Sequence, residues 1–140
     1  MTLQRILAID YGTKRIGLAV SDLLGITAQG IETLPNTGKK NILEALKKTC
    51  AEYQVKEIVI GLPVNMNGSH GPGAQEIFRL VPELEAHLGL PVKTWDERLS
   101  SKQVGRLMIE QGLSRKKQRE TSDRLAATVI LQNYLESKRI

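Results

Sequence analysis

The chain has 140 residues, 41% of them apolar and 25% charged, which is typical of one globular domain spanning residues 1–140. Its single cysteine, Cys50, excludes an internal disulfide, and no apolar run is long enough to span a bilayer, so we expect a cytoplasmic protein. The formal net charge of +5 favours an anionic partner, with nucleic acid first and a membrane surface second.

The chain begins with three patterns that predict antiparallel strands: RILAID, IGLAVSD and ITAQGIETL. The first two are apolar runs that flank a short turn-rich stretch, which is typical of a hairpin. The third is a weaker strand pattern, and Gly30 predicts a bulge within it. In the hairpin register Asp10 lies near Ile16, next to the turn, while Asp22 lies opposite Gln4 at the far end. We therefore interpret Asp22 as a surface carboxylate at a strand end.

Alternating helices and strands follow. Apolar residues at helical spacing predict helices over 39–53, 74–88, 100–112 and 123–138, and apolar runs predict strands over 57–62 and 91–97. Pro82 is expected to kink or split the second of these helices. The basic stretch LSRKKQRETS is predicted to be a polar connection, with Thr121 or Ser122 as the N-cap of the last helix. This order predicts an α/β fold with a mixed sheet, three antiparallel strands then two parallel strands, and helices on both faces.

Carboxylates are predicted to meet at one edge of this sheet. Asp10 ends the first strand, and Asp96 and Glu97 end the fifth. Because the carboxyl ends of parallel strands form the sites of such sheets, these residues are expected to lie together. Asp96 and Glu97 point to opposite faces of their strand, so only one of them can join Asp10. The pattern alone leaves that choice open.

Asp123 is a third candidate. It falls in the first turn of the predicted last helix, where an aspartate can simply complement the helix dipole. Ala127, Ile130 and Tyr134 follow on the same helical face, however, and this places Asp123 at the edge of the stripe that packs on the sheet. An inward carboxylate needs a cation or hydrogen-bond donors. The pattern does not decide between these two roles.

A shared divalent cation would explain three carboxylates at one edge. Without it they would repel one another and their pKa values would rise. Mg²⁺ prefers oxygen ligands and keeps waters for a substrate phosphate, and paired ions can cleave phosphodiesters. His70 and His87 are isolated in the sequence, and no Cys/His spacing indicates zinc. We therefore expect one or two Mg²⁺ or Mn²⁺ ions.

Four motifs in order, ILAIDYGTKRIGLAVSD, GLPVNMNGS, WDERLSS and SDRLAATVILQNYL, resemble the YqgF family, whose members are called Holliday junction resolvases. The resemblance implies a ribonuclease H-like fold, similar to the RuvC-type resolvases, and a metal-dependent nuclease. It implies processing of the 5′ end of pre-16S rRNA, with resolution of four-way DNA junctions as the alternative. Carried over to this chain, it makes Asp10, Glu97 and Asp123 the catalytic and metal-binding residues. Asp96 is then expected to pair with a neighbouring arginine. Ser100-Ser101 departs slightly from the family's usual Ser-Thr.

Two further alternatives remain. The stretch DYGT also resembles the phosphate hairpin of actin-like ATPases and sugar kinases, but the chain has one such hairpin and the length of one such domain. A nucleic-acid-binding protein without catalysis would use the basic residues but has no need of three converging acids.

We expect phosphate contacts from basic residues near the proposed site. We also expect a monomer or weak homodimer, because each helix has a single apolar stripe. These basic residues are Lys14, Arg15, Arg98, Arg115, Lys116, Lys117, Arg119 and Arg124.

Overall fold

The computed structural model describes residues 4–97 and 115–138, with side chains from residue 125 onward in the second range. Five strands and three helices lie within these ranges. The strands are β1 (Arg5–Tyr11), β2 (Arg15–Ser21), β3 (Ala28–Pro35), β4 (Val55–Leu62) and β5 (Val92–Asp96). The helices are α1 (Lys39–Tyr53), α2 (Pro72–Leu88) and α3 (Arg115–Ser137). By length and apolar character, none of these helices could cross a membrane.

The strands form one mixed sheet in the order β3-β2-β1-β4-β5. Strands β1, β2 and β3 pair antiparallel, whereas β4 and β5 run parallel to β1. The register of β2 with β3 shifts so that β3 carries one extra residue between Gly30 and Thr33, which confirms the predicted bulge. The predicted sheet is therefore confirmed, and β1 is its central strand, between β2 and β4.

Helices cover both faces of the sheet, as the sequence predicts. On one face, Leu7 and Ile9 of β1 pack with buried residues of β4, α1 and α2. On the other face, the alternate residues Ile6 and Ala8 pack against α3. Since successive side chains of a strand point to opposite faces, β1 contributes to two separate cores. The α3 core is completed by Ala19, Val59, Ala127, Ile130, Leu131 and Leu135.

The predicted split of the helix at Pro82 is wrong, because α2 continues as one helix from Pro72 to Leu88. A proline inside a helix removes one backbone hydrogen bond and crowds the preceding turn. Ile77 and Leu84 are buried on either side of it and bind both halves of α2 to the same core. Tertiary packing here outweighs the local cost.

The predicted connection before the last helix is also wrong. Residues 115–122 are helical and belong to α3, so neither Thr121 nor Ser122 is its N-cap. Arg, Lys, Gln and Glu, which dominate the stretch RKKQRE, are all good helix formers, and the charge pattern hides that propensity. The predicted helix over 100–112 lies outside the described residues.

Candidate active site

Asp10 is held at the carboxyl end of β1 by a tight turn into β2. The Gly12 N–H donates to the Arg15 carbonyl at 3.0 Å, and a Cβ atom on Gly12 would lie 2.5 Å from that oxygen. Only glycine allows so close an approach. Asn36 anchors the turn from the end of β3, donating from its backbone to the Lys14 carbonyl and from Nδ2 to the Gly12 carbonyl, both at 2.9 Å. The backbone beside Asp10 is therefore fixed.

Glycines flank Asp10 on both neighbouring strands. Asp10 pairs with Gly17 of β2, and the parallel register of β1 with β4 places it beside Gly61. Ala8, two residues before Asp10, packs against α3, so strand alternation puts Asp10 on the α3 side of the sheet. Neither neighbouring position on that side carries a side chain. The sheet surface around Asp10 is thus left to groups that come from other elements.

The Glu97 carboxylate occupies the space over Gly61. Glu97 follows β5 directly, and its N–H donates to the Leu62 carbonyl at 3.3 Å. A Cβ atom on Gly61 would overlap Glu97 Oε2 and lie 2.8 Å from Ile130 Cδ1. Glycine at position 61 is therefore what lets Glu97 extend across β4 toward Asp10. Of the two acids at the end of β5, Glu97 is the one on the face of Asp10, while Asp96 is exposed.

The position of Glu97 over Gly61 changes the pKa of its carboxyl group. Burial raises the pKa of its carboxyl to about 7, and the negative charges of Asp10 and Asp96 add to the rise. A cation held between Glu97 and Asp10 would offset the lost hydration and the repulsion together. Carboxylate oxygens are the ligands that Mg²⁺ and Mn²⁺ prefer. The residues present therefore fit such an ion.

Position 123 lies toward the same edge. Helix α3 begins no later than Arg115, so Asp123 is beyond its first turn, and the helix-dipole explanation for Asp123 is wrong. Ile130 of α3 contacts the region over Gly61, whereas the Tyr134 hydroxyl donates to Glu57 near the start of β4. Helix α3 thus runs from the edge of the acids toward the opposite edge.

If a third carboxylate joins Asp10 and Glu97, its side chain lies beyond the described ones. Among those that are described, no group of three His, Cys, Asp or Glu residues could hold a metal ion. Asp123 lies seven positions, about two helical turns, before Ile130. Its side chain is outside the described part of the chain, so its role stays a prediction.

The predicted phosphate-binding residues divide into two sets. Lys14 is exposed and Arg15 half-buried, and both lie on the fixed turn beside Asp10. Arg98 is outside the described residues, as are the side chains of the basic residues in the first part of α3. The predicted pairing of Asp96 with an arginine likewise stays a prediction. The basic residues of α3 are Arg115, Lys116, Lys117, Arg119 and Arg124.

Asp22 lies at the opposite end of the hairpin, as predicted, but the predicted register is wrong by one residue, because Asp10 pairs with Gly17 and Ile16 pairs with Tyr11. Its Oδ1 accepts hydrogen bonds from the backbone N–H groups of Ile26, at 2.7 Å, and Thr27, at 3.3 Å. The bond from Ile26 is the main reason why its pKa is lowered. Asp22 therefore fixes the turn between β2 and β3 and is separate from the other acids.

Sequence reasoning missed two residues that shape this site. The sequence places Gly61 within the predicted strand over 57–62 and assigns it no role in the site, although a glycine near the end of an apolar strand run is a signal for close approach of another group. Asn36 falls in the turn-rich stretch PNTG, and its contact with the hairpin turn spans 24 residues of sequence. Tertiary packing decides which group approaches Gly61 and which turn Asn36 contacts, so neither contact can be inferred from the sequence alone.

Comparison with known structures identifies the fold. The chain superimposes on Thermus thermophilus RuvC bound to a Holliday junction substrate with a TM-score of 0.58 and 16% identity, covering 96% of this chain and 95% of that one. The fowlpox virus resolvase, in complex with Holliday junction DNA, gives a TM-score of 0.62 at 15% identity, with 96% and 98% coverage. At these identities the likeness concerns the fold alone. The predicted ribonuclease H-like fold is thereby confirmed.

Sequence relatives are much closer. A protein of Syntrophomonas wolfei is 49% identical over 132 residues, which cover 94% of each chain, and one of Clostridium kluyveri is 47% identical, with 94% and 96% coverage. Both are provisionally named pre-16S rRNA nuclease. The model of the RuvX family, described as Holliday junction resolvase, matches residues 4–137. Because this match spans nearly the whole chain and the relatives agree with the resemblance of its motifs, the chain belongs to the RuvX (YqgF) family.

Proposed function

We propose that this chain is a metal-dependent nuclease that acts on structured RNA and processes the 5′ end of pre-16S rRNA in the cytoplasm. The observation that carries the proposal is the Glu97 carboxylate lying over Gly61 on the face of Asp10, with its pKa raised to about 7. Two acids that are held close together, so that the pKa of one of them is strongly raised, are typical of a functional site. The names of the close relatives support the nuclease activity and the RNA substrate.

The metal ligands in this proposal are Asp10, Glu97 and Asp123. Bound there, one or two Mg²⁺ or Mn²⁺ ions would activate the attacking water and stabilise the leaving oxygen. Asp10 and Glu97 would supply oxygen ligands from the ends of two rigid strands, and Glu97 would hold the cation in its deprotonated form. Asp123 supplies the third carboxylate from α3. Lys14 and Arg15 bind the phosphate backbone beside Asp10.

The second candidate function is resolution of four-way DNA junctions, which the description of the family model favours. A resolvase makes paired incisions and needs two active sites held in a stable, symmetric dimer. The exposed large apolar side chains of the described residues fall into two groups at opposite edges of the sheet. Because the two groups do not form one large apolar patch, they support a monomer or weak homodimer. A monomer or weak homodimer in turn favours RNA processing over junction resolution.

The test is cleavage of three labelled substrates by the purified protein with Mg²⁺ or Mn²⁺: pre-16S rRNA, a four-way DNA junction and linear duplex DNA. We expect cleavage near the 5′ end of the mature rRNA and little cleavage of either DNA. Sedimentation at several protein concentrations, run in parallel, should give a monomer or weak dimer. A tight dimer that nicks junctions symmetrically and ignores the RNA would replace this proposal with the second candidate.

Gly61→Ala is expected to lower turnover by about a hundredfold, because displacing a catalytic group by about 1 Å can cost that much. The added methyl group overlaps the Glu97 carboxylate and pushes it away from Asp10. RNA affinity in EDTA should change little, since the phosphate-binding residues stay in place. Single-turnover cleavage and filter binding measure the two quantities. Wild-type turnover in this variant would mean that the position of the Glu97 carboxylate over Gly61 is not needed for cleavage.

Replacing Arg115, Lys116 and Lys117 with alanine should weaken nucleic-acid binding and reduce its salt dependence. On duplex DNA each lost phosphate contact lowers the slope of log affinity against log salt by about 0.9, and by less on single strands. A matched control replaces three exposed lysines of α1, Lys40, Lys47 and Lys48, and removes the same charge. Equal slopes in the two triple variants would assign the α3 residues to a solvated surface.

A further inference from the structure

Two exposed apolar side chains belong to the loop over residues 63–71, between β4 and α2, and to the α2 helix that follows it. Met66 is 77% exposed and Phe78 is 40% exposed. The ring of His70, which is also exposed, lies edge-to-face against Phe78, with the ring centroids 5.2 Å apart and an interplanar angle of 73°. Apolar and aromatic side chains that are exposed close together form a candidate binding surface.

The loop that carries His70 begins at the sheet edge that carries the acids, and Phe78 lies on α2, which packs on the face of the sheet opposite to α3. Its loop begins directly after Leu62, whose carbonyl accepts the Glu97 N–H. The loop then folds back on the start of α2, because a Cβ atom on Gly73 would lie 3.2 Å from Pro63 Cγ. A Cβ atom on Gly71, next to His70, would likewise lie 3.2 Å from Asn65 Nδ2. His70 is thereby kept near the carboxyl end of β4.

The loop has a network of hydrogen bonds that holds this arrangement. The Asn65 N–H donates to the Ser69 carbonyl at 2.9 Å, and Asn65 Nδ2 donates to Ser69 Oγ at 3.0 Å. The Ser69 N–H donates in turn to Asn67 Oδ1 at 3.0 Å. His70 follows this network directly, so its ring is presented from an ordered backbone. A surface that is already ordered binds its ligand at a lower cost in entropy.

We infer that His70 and Phe78 form a stacking site for an unpaired base of the RNA substrate, a few nucleotides from the bond that is cleaved. This inference rests on the proposed nuclease function. Aromatic faces stack on any base without reading its sequence, and proteins recognise unpaired RNA in this way. The exposed Arg79 follows Phe78 and brings a positive charge to the same turn of α2. The preferred substrate is then RNA with unpaired nucleotides beside the cleaved bond.

The inference is tested by binding, in EDTA, to the Asp10→Asn protein so that no RNA is cut. The probes are a fluorescent RNA hairpin with a single-stranded 5′ extension and the same hairpin with a blunt end. Phe78→Ala should weaken binding of the extended hairpin by about 5- to 100-fold and leave the blunt hairpin unchanged. Phe78→Tyr, which keeps the ring, should bind like the parent. Leu24→Ala, which removes an exposed apolar side chain at the opposite edge, is the matched control.

A second measurement does not depend on any variant of Phe78. Abasic sites in the extension should lower the affinity of the parent protein to that for the blunt hairpin. Equal binding of the abasic and intact extensions would overturn the inference, and so would Phe78→Leu binding as tightly as the parent, since Leu lacks a stacking face. Cleavage of pre-rRNA by the wild-type protein tests the proposed function separately. If that cleavage occurs while Phe78→Ala binds normally, only the stacking site is wrong.

Discussion

Asp10→Asn and Glu97→Gln are each expected to lower the cleavage rate by about a thousandfold with Mg²⁺ present. The metal supplies several kcal/mol of transition-state stabilisation, and each 1.36 kcal/mol corresponds to tenfold in rate. Both substitutions remove a charged oxygen ligand while keeping nearly the same volume. The fold and the RNA affinity in EDTA should therefore stay largely intact. Single-turnover cleavage of pre-16S rRNA measures the effect.

The matched control for these variants is Asp22→Asn, since Asp22 is a carboxylate at the opposite end of the same hairpin. It accepts backbone hydrogen bonds and lies outside the proposed site, so the variant should cleave at the wild-type rate. Asp123→Asn should behave like the variants of Asp10 and Glu97. Full activity of Asp10→Asn would show that the mechanism is wrong.

The metal-free protein is expected to become less stable as pH rises from about 4.5 to about 7, the interval between the ordinary and the folded pKa of Glu97. Below this interval both the folded and unfolded states hold the proton, so Glu97 makes no difference. Within it the unfolded chain loses the proton first, and the free energy of unfolding falls by about 1.36 kcal/mol per pH unit at most. Across the interval the loss amounts to roughly 2–3 kcal/mol.

Glu97→Gln isolates this effect, because the amide does not ionise. Denaturant unfolding in EDTA should find the variant increasingly more stable than the wild-type protein as pH rises from 5 to 7, with a constant difference above that. Adding Mg²⁺ at pH 8 should stabilise the wild-type protein and leave the variant nearly unchanged. A stability difference that does not vary with pH would mean that Glu97 ionises normally and is not buried beside Asp10.

The sheet could be predicted because its signals are local. Two apolar runs around a turn indicate a hairpin, and the continuous apolar run of β4 indicates a strand covered on both faces. The parallel-strand rule then placed Asp10 and the end of β5 at one edge. The unbroken α2 could not be predicted, because Pro82 is overruled by the buried Ile77 and Leu84. The extent of α3 was missed because its first residues are charged rather than apolar.

The shape of the site depends on contacts that the sequence does not display. Gly61 and Glu97 are 36 positions apart, and the Glu97 carboxylate comes to lie over Gly61 only when β4 and β5 lie side by side. The choice between Asp96 and Glu97 likewise required the observed packing, because strand alternation says only that they differ in face. The direction of α3 along the sheet brings position 123 toward the acids, and this follows from its contacts at Ile130 and Tyr134.

Calorimetric titration of Mn²⁺ into the metal-free protein at pH 8 is the most direct test of a shared cation at Asp10 and Glu97. The wild-type protein should bind one or two ions, and titration at pH 7 in buffers of different ionisation enthalpy should detect proton release. Asp10→Asn, Glu97→Gln and Asp123→Asn should each bind much more weakly, while Asp22→Asn should bind like the wild-type protein. Unchanged Mn²⁺ binding by Asp10→Asn and Glu97→Gln would contradict the account.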